Sequence, residues 1–161
     1  MNQPVTGGGD LVNSGTGTLV LGAGVVQYDG VTRCESGTVD LGSTVQAVRM
    51  AGAGRFVNGT VAAGGGIVIE VDDKYQTLAA PALSGIVSAG SFRVDLGRTA
   101  ENPLAEPFRP ITVCTYEGAA PDVSGWRLKG TGLSNVRGVF TAANGVVTVT
   151  PECVGVLIIV R

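Results

Sequence analysis

The sequence predicts an all-β chain and, within that class, a right-handed parallel β-helix (a β-solenoid) closed by a C-terminal antiparallel β cap. Three observations predict it. The 161 residues hold 26 glycines and only 15% charged side chains, a six-residue kernel recurs along the first half of the chain, and an Asn-Gly pair stands between two β-rich runs near the C-terminus. Glycine permits frequent tight turns, and Val, Thr and Ile pack well on pleated, half-buried surfaces, so short strands are favoured over helices. A chain of this length can bury a core without disulfide staples, and one domain, or one plus a small appendage, is expected.

The kernel reads Gly, Thr or Ile, Val or Leu, any residue, Leu or Ala, Gly. It appears as Gly17-Thr18-Leu19-Val20-Leu21-Gly22 and again from Gly37, Gly59 and Gly85. A short strand with a small corner residue at each end is its physical sense, because glycine accepts backbone angles that a β-branched residue resists. A second strand-like stretch follows each copy: Val25 to Tyr28, Val45 to Met50, Ile67 to Val71 and Phe92 to Leu96. A third element is visible in Gly54-Arg55-Phe56-Val57-Asn58-Gly59 and in Gly9-Asp10-Leu11-Val12-Asn13-Ser14. Kernels begin 20, 22 and 26 residues apart, a spacing that suits one turn of a right-handed parallel β-helix and exceeds that of a left-handed hexapeptide solenoid. Residues 1–98 are therefore expected to form the rungs. The alternative is a glycine-rich β-sandwich, which would show evenly spaced alternating strands without a repeated kernel.

The C-terminal third breaks the pattern. Residues 99–110 carry Pro103, Pro107 and Pro110, which lack the donor a central strand needs, and are read as a connector. Residues 111–161 then offer five short strands, over Ile111 to Tyr116, Trp126 to Leu128, Val139 to Thr141, Val146 to Thr150 and Val156 to Val160. Asn144-Gly145 is the preferred pair for a two-residue hairpin turn, so this region is expected to be locally antiparallel and to cap the open end of the stack.

The runs Gly7-Gly8-Gly9-Asp10-Leu11 and Gly15 to Gly24, with Ser36 to Gly42 and Ala51 to Phe56, resemble the autotransporter-associated β-strand repeat of large bacterial surface proteins. The likeness covers residues 7 to about 97 and implies a passenger-like β-helix that is exported, extracellular or on the cell surface. Gly155-Val156-Leu157-Ile158-Ile159-Val160-Arg161 resembles the end of such proteins, and residues 7–14 look like the last strand of a preceding rung. The expected partners are upstream rungs of a longer parent chain, or a second copy through the N-terminal edge.

Composition removes several functional classes. There is no histidine, which excludes His-based triads and His-ligated zinc sites. A formal charge of −2 without a basic cluster gives no footprint for nucleic acid, and the longest apolar run, Val156 to Val160, is far too short for membrane insertion. Cys34, Cys114 and Cys153 lack metal or redox spacing. They read as small buried hydrophobes, with a Cys114–Cys153 disulfide as the alternative. No cofactor and no metal are expected.

Catalysis on a β-helix needs acids at equivalent positions of adjacent rungs. With the kernels superimposed, Val20, Asp40, Ala62 and Ser88 share one column, and no two acids stack. Asp72-Asp73-Lys74-Tyr75 is the best local acid cluster, although Asp and Lys are ordinary turn residues. Trp126, Tyr116 and Phe108 can form an aromatic platform for sugars, or simply fill a small cap core. Candidate ligand-binding residues are thus Trp126, Tyr116, Asp72 and Asp73, with surface glycans as the partner. The expected function is a non-catalytic structural or adhesion module serving as stalk, spacer or scaffold. The competing readings are a carbohydrate-binding module and a polysaccharide-active β-helix enzyme.

Overall fold

In a computed structural model, residues 5–22, 26–28, 30–42, 45–72, 74, 76–98, 109–130 and 135–155 are described. Among them every regular element is a strand, and two sheets, both mostly parallel, hold nearly all of the seventeen. The all-β expectation is met. The expected connector (99–110) and closing strand (Val156 to Val160) lie almost wholly outside the described residues, as do Phe108, Asp73 and Tyr75.

The chain passes from one sheet to the other and back, and each sheet is built in chain order. The seven-stranded sheet runs through β2 (Leu11–Asn13), β5 (Thr32–Cys34), β8 (Arg49–Ala51), β10 (Gly66–Val71), β13 (Phe92–Arg98) and β15 (Trp126–Lys129), each parallel to the last. Its seventh strand, β11 (Thr77–Ala79), turns back antiparallel on β10. The eight-stranded sheet runs through β3 (Thr18–Val20), β6 (Thr38–Asp40), β9 (Arg55–Val61), β12 (Ala82–Ser88) and β14 (Ile111–Glu117), again parallel. It ends in the antiparallel β17 (Val146–Cys153) and β16 (Val136–Ala143). The short β7 (Val45–Gln46) lies beside the second half of β9, and β1 (Val5–Gly7) pairs parallel with β4 (Val26–Tyr28) as a third, two-stranded sheet.

Alternation along each strand decides what the two sheets bury. Leu19, Val39, Phe56, Leu83 and Tyr116 form one column of register partners, and Leu11, Thr32, Met50, Ile67, Val94 and Leu128 form a column in the other sheet. Val39, Phe56, Leu83, Met50, Ile67, Val94 and Leu128 are buried. These columns make one continuous hydrophobic cluster from Leu21 to Val149.

The register corrects the kernel alignment at the third copy. Val20 faces Asp40 and Asp40 faces Val57, not Ala62. The first strands of this sheet, β3 and β6, are three residues long, but β9 and β12 have seven, and each absorbs a bend in mid-strand. Asn58 (φ 55°) and Gly85 (φ 63°) take left-handed conformations at matching positions of these two strands. The Asn58 side chain donates to Asp40, tying the bend to the strand before it. One long bent strand therefore replaces two short ones, and a residue count alone slips by several positions there.

Within the segment expected to form an antiparallel cap, β14 and β15 instead extend the two parallel ladders. Antiparallel pairing is confined to β16 and β17 and their contact with β14, and Asn144 (φ 52°) and Gly145 (φ 76°) make the expected hairpin turn.

Turn geometry gives a direct test. At Gly52 (φ 89°) an added Cβ would run into the Cys34 carbonyl, whereas at Gly85 it would meet only ordinary contacts. Gly52→Ala is expected to lower stability by more than about 3 kcal/mol, since left-handed strain adds to a backbone clash, and Gly85→Ala by about 1–2 kcal/mol from strain alone. Urea denaturation of the two variants measures the difference.

Candidate functional site

The outer face of the seven-stranded sheet carries a ladder of charge. Arg33 pairs with Glu70, and the buried carboxylate of Asp95 accepts Arg93 Nε at 2.6–2.8 Å and Arg49 at 3.2 Å. Asp95 thus holds two guanidinium groups from β8 and β13. Such pairs contribute little each at a solvated face, but they neutralise cations stacked on neighbouring strands.

On β15 the compensation stops. Arg127 and Lys129 are the register partners of Arg93 and Asp95, and both are exposed. Among the described residues neither has a carboxylate partner. Arg127 instead donates to the carbonyls of Ser124 at 3.1 Å and Trp126 at 2.8 Å. Between β15 and β16 lies a groove of about 340 Å³, lined by Trp126, Leu128, Val136 and Gly138 together with Arg127, Lys129 and Arg137. Arg137 pairs with Glu152 on β17 at 3.0 Å; no acidic side chain is among the described residues that line the groove.

Trp126 is 3% exposed, stacked on Phe92 at 4.3 Å between ring centres and edge-on to Phe140 at 5.7 Å. With one face stacked on Phe92 and the whole side chain buried, it does not present a flat platform on which a sugar can stack. Its indole Nε1–H is buried and has no acceptor among the described residues. Leaving such a donor unmatched costs about 1–3 kcal/mol, so the position is unusual for a residue that serves packing alone.

The other candidates fall elsewhere. Tyr116 ends the core column through Leu83, is half-buried, and borders a shallow cleft with Ile86, Ala119 and Pro121. The Asp72 carboxylate accepts the backbone N–H groups of Lys74 at 2.9 Å and Gln76 at 2.8 Å, which is a turn-forming role between β10 and β11. The structure does not bring Tyr116, Asp72 and Trp126 into a common lining. Asp122 lies on the rim of a groove beside β12, and the Ser124 backbone N–H holds its carboxyl below the usual range.

Arg127, Lys129 and Arg137 were not among the sequence candidates. The signal that could have found them is the alternation in Trp126-Arg127-Leu128-Lys129, where two inward apolar residues separate two outward cations with no acid on the strand.

All three cysteines are free, which removes the Cys114–Cys153 disulfide: Cys114 lies in the core on β14, and Cys153 is exposed at the end of β17. Burial pushes the Cys114 thiol up to about 12. Burial also raises Cys34, partly offset by hydrogen bonds from the Arg55 backbone and the Asn13 side chain.

No protein-family model matches the chain, and neither a curated protein nor a solved structure matches it.

Two predictions follow from the thiols. In the native chain an aromatic disulfide reagent should titrate one thiol rapidly and the other two only on unfolding, and Cys153→Ser should abolish the rapid phase. Because the unfolded chain releases the Cys114 proton near pH 9 and the folded chain only near 12, the contribution of the neutral thiol is full below pH 9 and is lost as pH rises to 12. Thermal melts across that window should fall more steeply for the native chain than for Cys114→Ala.

Proposed function

We propose that the chain is a non-catalytic structural module of a secreted or cell-surface protein, a right-handed parallel β-helix acting as stalk, spacer or adhesin scaffold. The observation that carries this reading is an asymmetry between the two ends of the stacked sheets.

At the first end β2 and β3 are edge strands among the described residues. Leu11 N–H bonds to Val31 O, and the Asn13 carbonyl accepts Glu35 N–H. In a parallel ladder alternate residues point their backbone groups to opposite sides, so the N–H and C=O of Val12 face away from β5. By the same logic the Val20 backbone faces away from β6, since Thr38 N–H reaches Gly17 O and Leu21 N–H reaches Asp40 O. The side chains of Val12 and Val20 are about half exposed as well. A parallel edge with apolar side chains is a template for a further strand, from the same parent chain or from a second copy.

At the other end the hairpin of β16 and β17 covers β14, which supports the cap reading. The glycine-bounded kernels that resemble autotransporter-associated repeats fit the same role, in which repeats give length and the cap gives closure. Against an enzyme, Glu70, Asp95, Glu117 and Glu152 are each held by an arginine, and no two acids are register partners in any described ladder.

Sedimentation of the chain over a range of concentrations tests the open end. The native chain is expected to self-associate. Val12→Pro with Val20→Pro, which removes the outward donors and no ladder bond, is expected to be monomeric with an unchanged circular dichroism spectrum. A native chain that stays monomeric throughout overturns the proposed use of this edge.

A further inference from the structure

We propose that the groove between β15 and β16 binds an acidic sugar residue, one carrying a carboxylate or a sulfate, within an oligosaccharide. The proposal goes beyond the structural role above and does not depend on it.

The charge of the groove is the first reason. Arg127, Lys129 and Arg137 line it without an acid among them, in a chain whose formal net charge is −2. On the preceding strands the outward arginines are answered by Glu70 and Asp95, whereas Arg127 stands opposite Arg93 with no carboxylate partner among the described residues, and the Asp95 opposite Lys129 is already held by Arg49 and Arg93. An anion placed between Arg127 and Lys129 takes the position that a carboxylate on a further strand would hold.

Trp126 is the second reason. Its indole N–H is buried and unmatched in this conformation, on a residue that lines this groove, and a shift of the side chain toward the groove would let a sugar oxygen serve as its acceptor.

Size and shape exclude two other occupants. A volume of about 340 Å³ falls in the range of small-ligand sites and is far more than one inorganic oxyanion fills, and Leu128, Val136 and Gly138 offer apolar surface for the C–H face of a sugar ring. A peptide adding to the edge of β15 needs free backbone groups there. Phe92 N–H bonds to Gly125 O, so the Trp126 backbone points to the open side, but its N–H is taken by Val123 O and its carbonyl by Arg127. The strand edge is thereby closed at its first position.

The test uses the full chain and its single tryptophan, whose emission reports on the groove directly. Trigalacturonic acid, a heparin-derived tetrasaccharide, maltotriose, sodium sulfate and a glutamate-rich peptide are titrated separately. At least one of the two acidic oligosaccharides is expected to give a saturable change that weakens with added salt, and the preferred one identifies carboxylate or sulfate as the recognised group. Maltotriose and sulfate are expected to give none at the same concentrations. Lys129→Gln and Arg137→Gln are each expected to weaken binding about tenfold at unchanged melting temperature, while Lys129→Arg retains it. Arg127 is left in place because it also holds two carbonyls. The proposal is overturned if neither acidic oligosaccharide saturates, if maltotriose or sulfate alone does so equally well, if the peptide binds more tightly, or if the Gln variants bind like the native chain.

Discussion

Everything in this fold depends on parallel strands stacking in register, each meeting the backbone groups of the strand before and after it. That requirement sets a strict spacing, since stacked strands lie about 4.8 Å apart and their corners must stack as closely as their middles. A side chain at a strand end has nowhere to go when the carbonyl of the neighbouring strand lies against it, as at Gly52 over Cys34. The high glycine content is thus a consequence of the stacking. The interior, in turn, is filled by whatever alternates inward from the two sheets, a column of Val39, Phe56 and Leu83 opposite one of Met50, Ile67 and Val94.

The same stacking creates an electrostatic problem on the outside. Register places outward residues of successive strands one above another, so like charges meet unless something separates or neutralises them. Along the seven-stranded sheet the chain solves this with Gly66 between Arg49 and Arg93, and with Asp95 taking both guanidinium groups. Arg127 then stands on the last strand opposite Arg93, with no carboxylate partner among the described residues, and Lys129 stands opposite an Asp95 that two arginines already hold, beside a hairpin that adds Arg137 and its partner Glu152. A ladder that is balanced in its interior thus leaves an excess of cations on its last strand.

The two ends also differ in what they offer to other molecules. Val12 and Val20 direct backbone groups outward, away from β5 and β6, from short strands with half-exposed apolar side chains. At the far end, the carbonyl of Trp126 is occupied by Arg127 and β14 is covered by β17, so strand addition is obstructed. Among the described residues, backbone groups are therefore on offer at one end and largely occupied at the other.

The amino-acid sequence by itself determined the strand class, the glycine turns that bound the early strands and the hairpin at Asn144-Gly145, because these are local matters of backbone freedom and side-chain branching. It also carried the register of the first two kernels, where Thr18 to Val20 face Thr38 to Asp40 as their spelling suggests. Only the tertiary structure decided the register beyond Asp40, since a left-handed Asn58 in mid-strand merges two strands into one and leaves no trace in residue spacing. The same holds for the candidate site. Trp126 was legible as a residue of interest but not as a buried donor, and Arg127, Lys129 and Arg137 acquire meaning only once the ladder shows which carboxylates are already taken. Pairing across strands is a long-range property, fixed by which strand lies next to which, and no local pattern of residues encodes it.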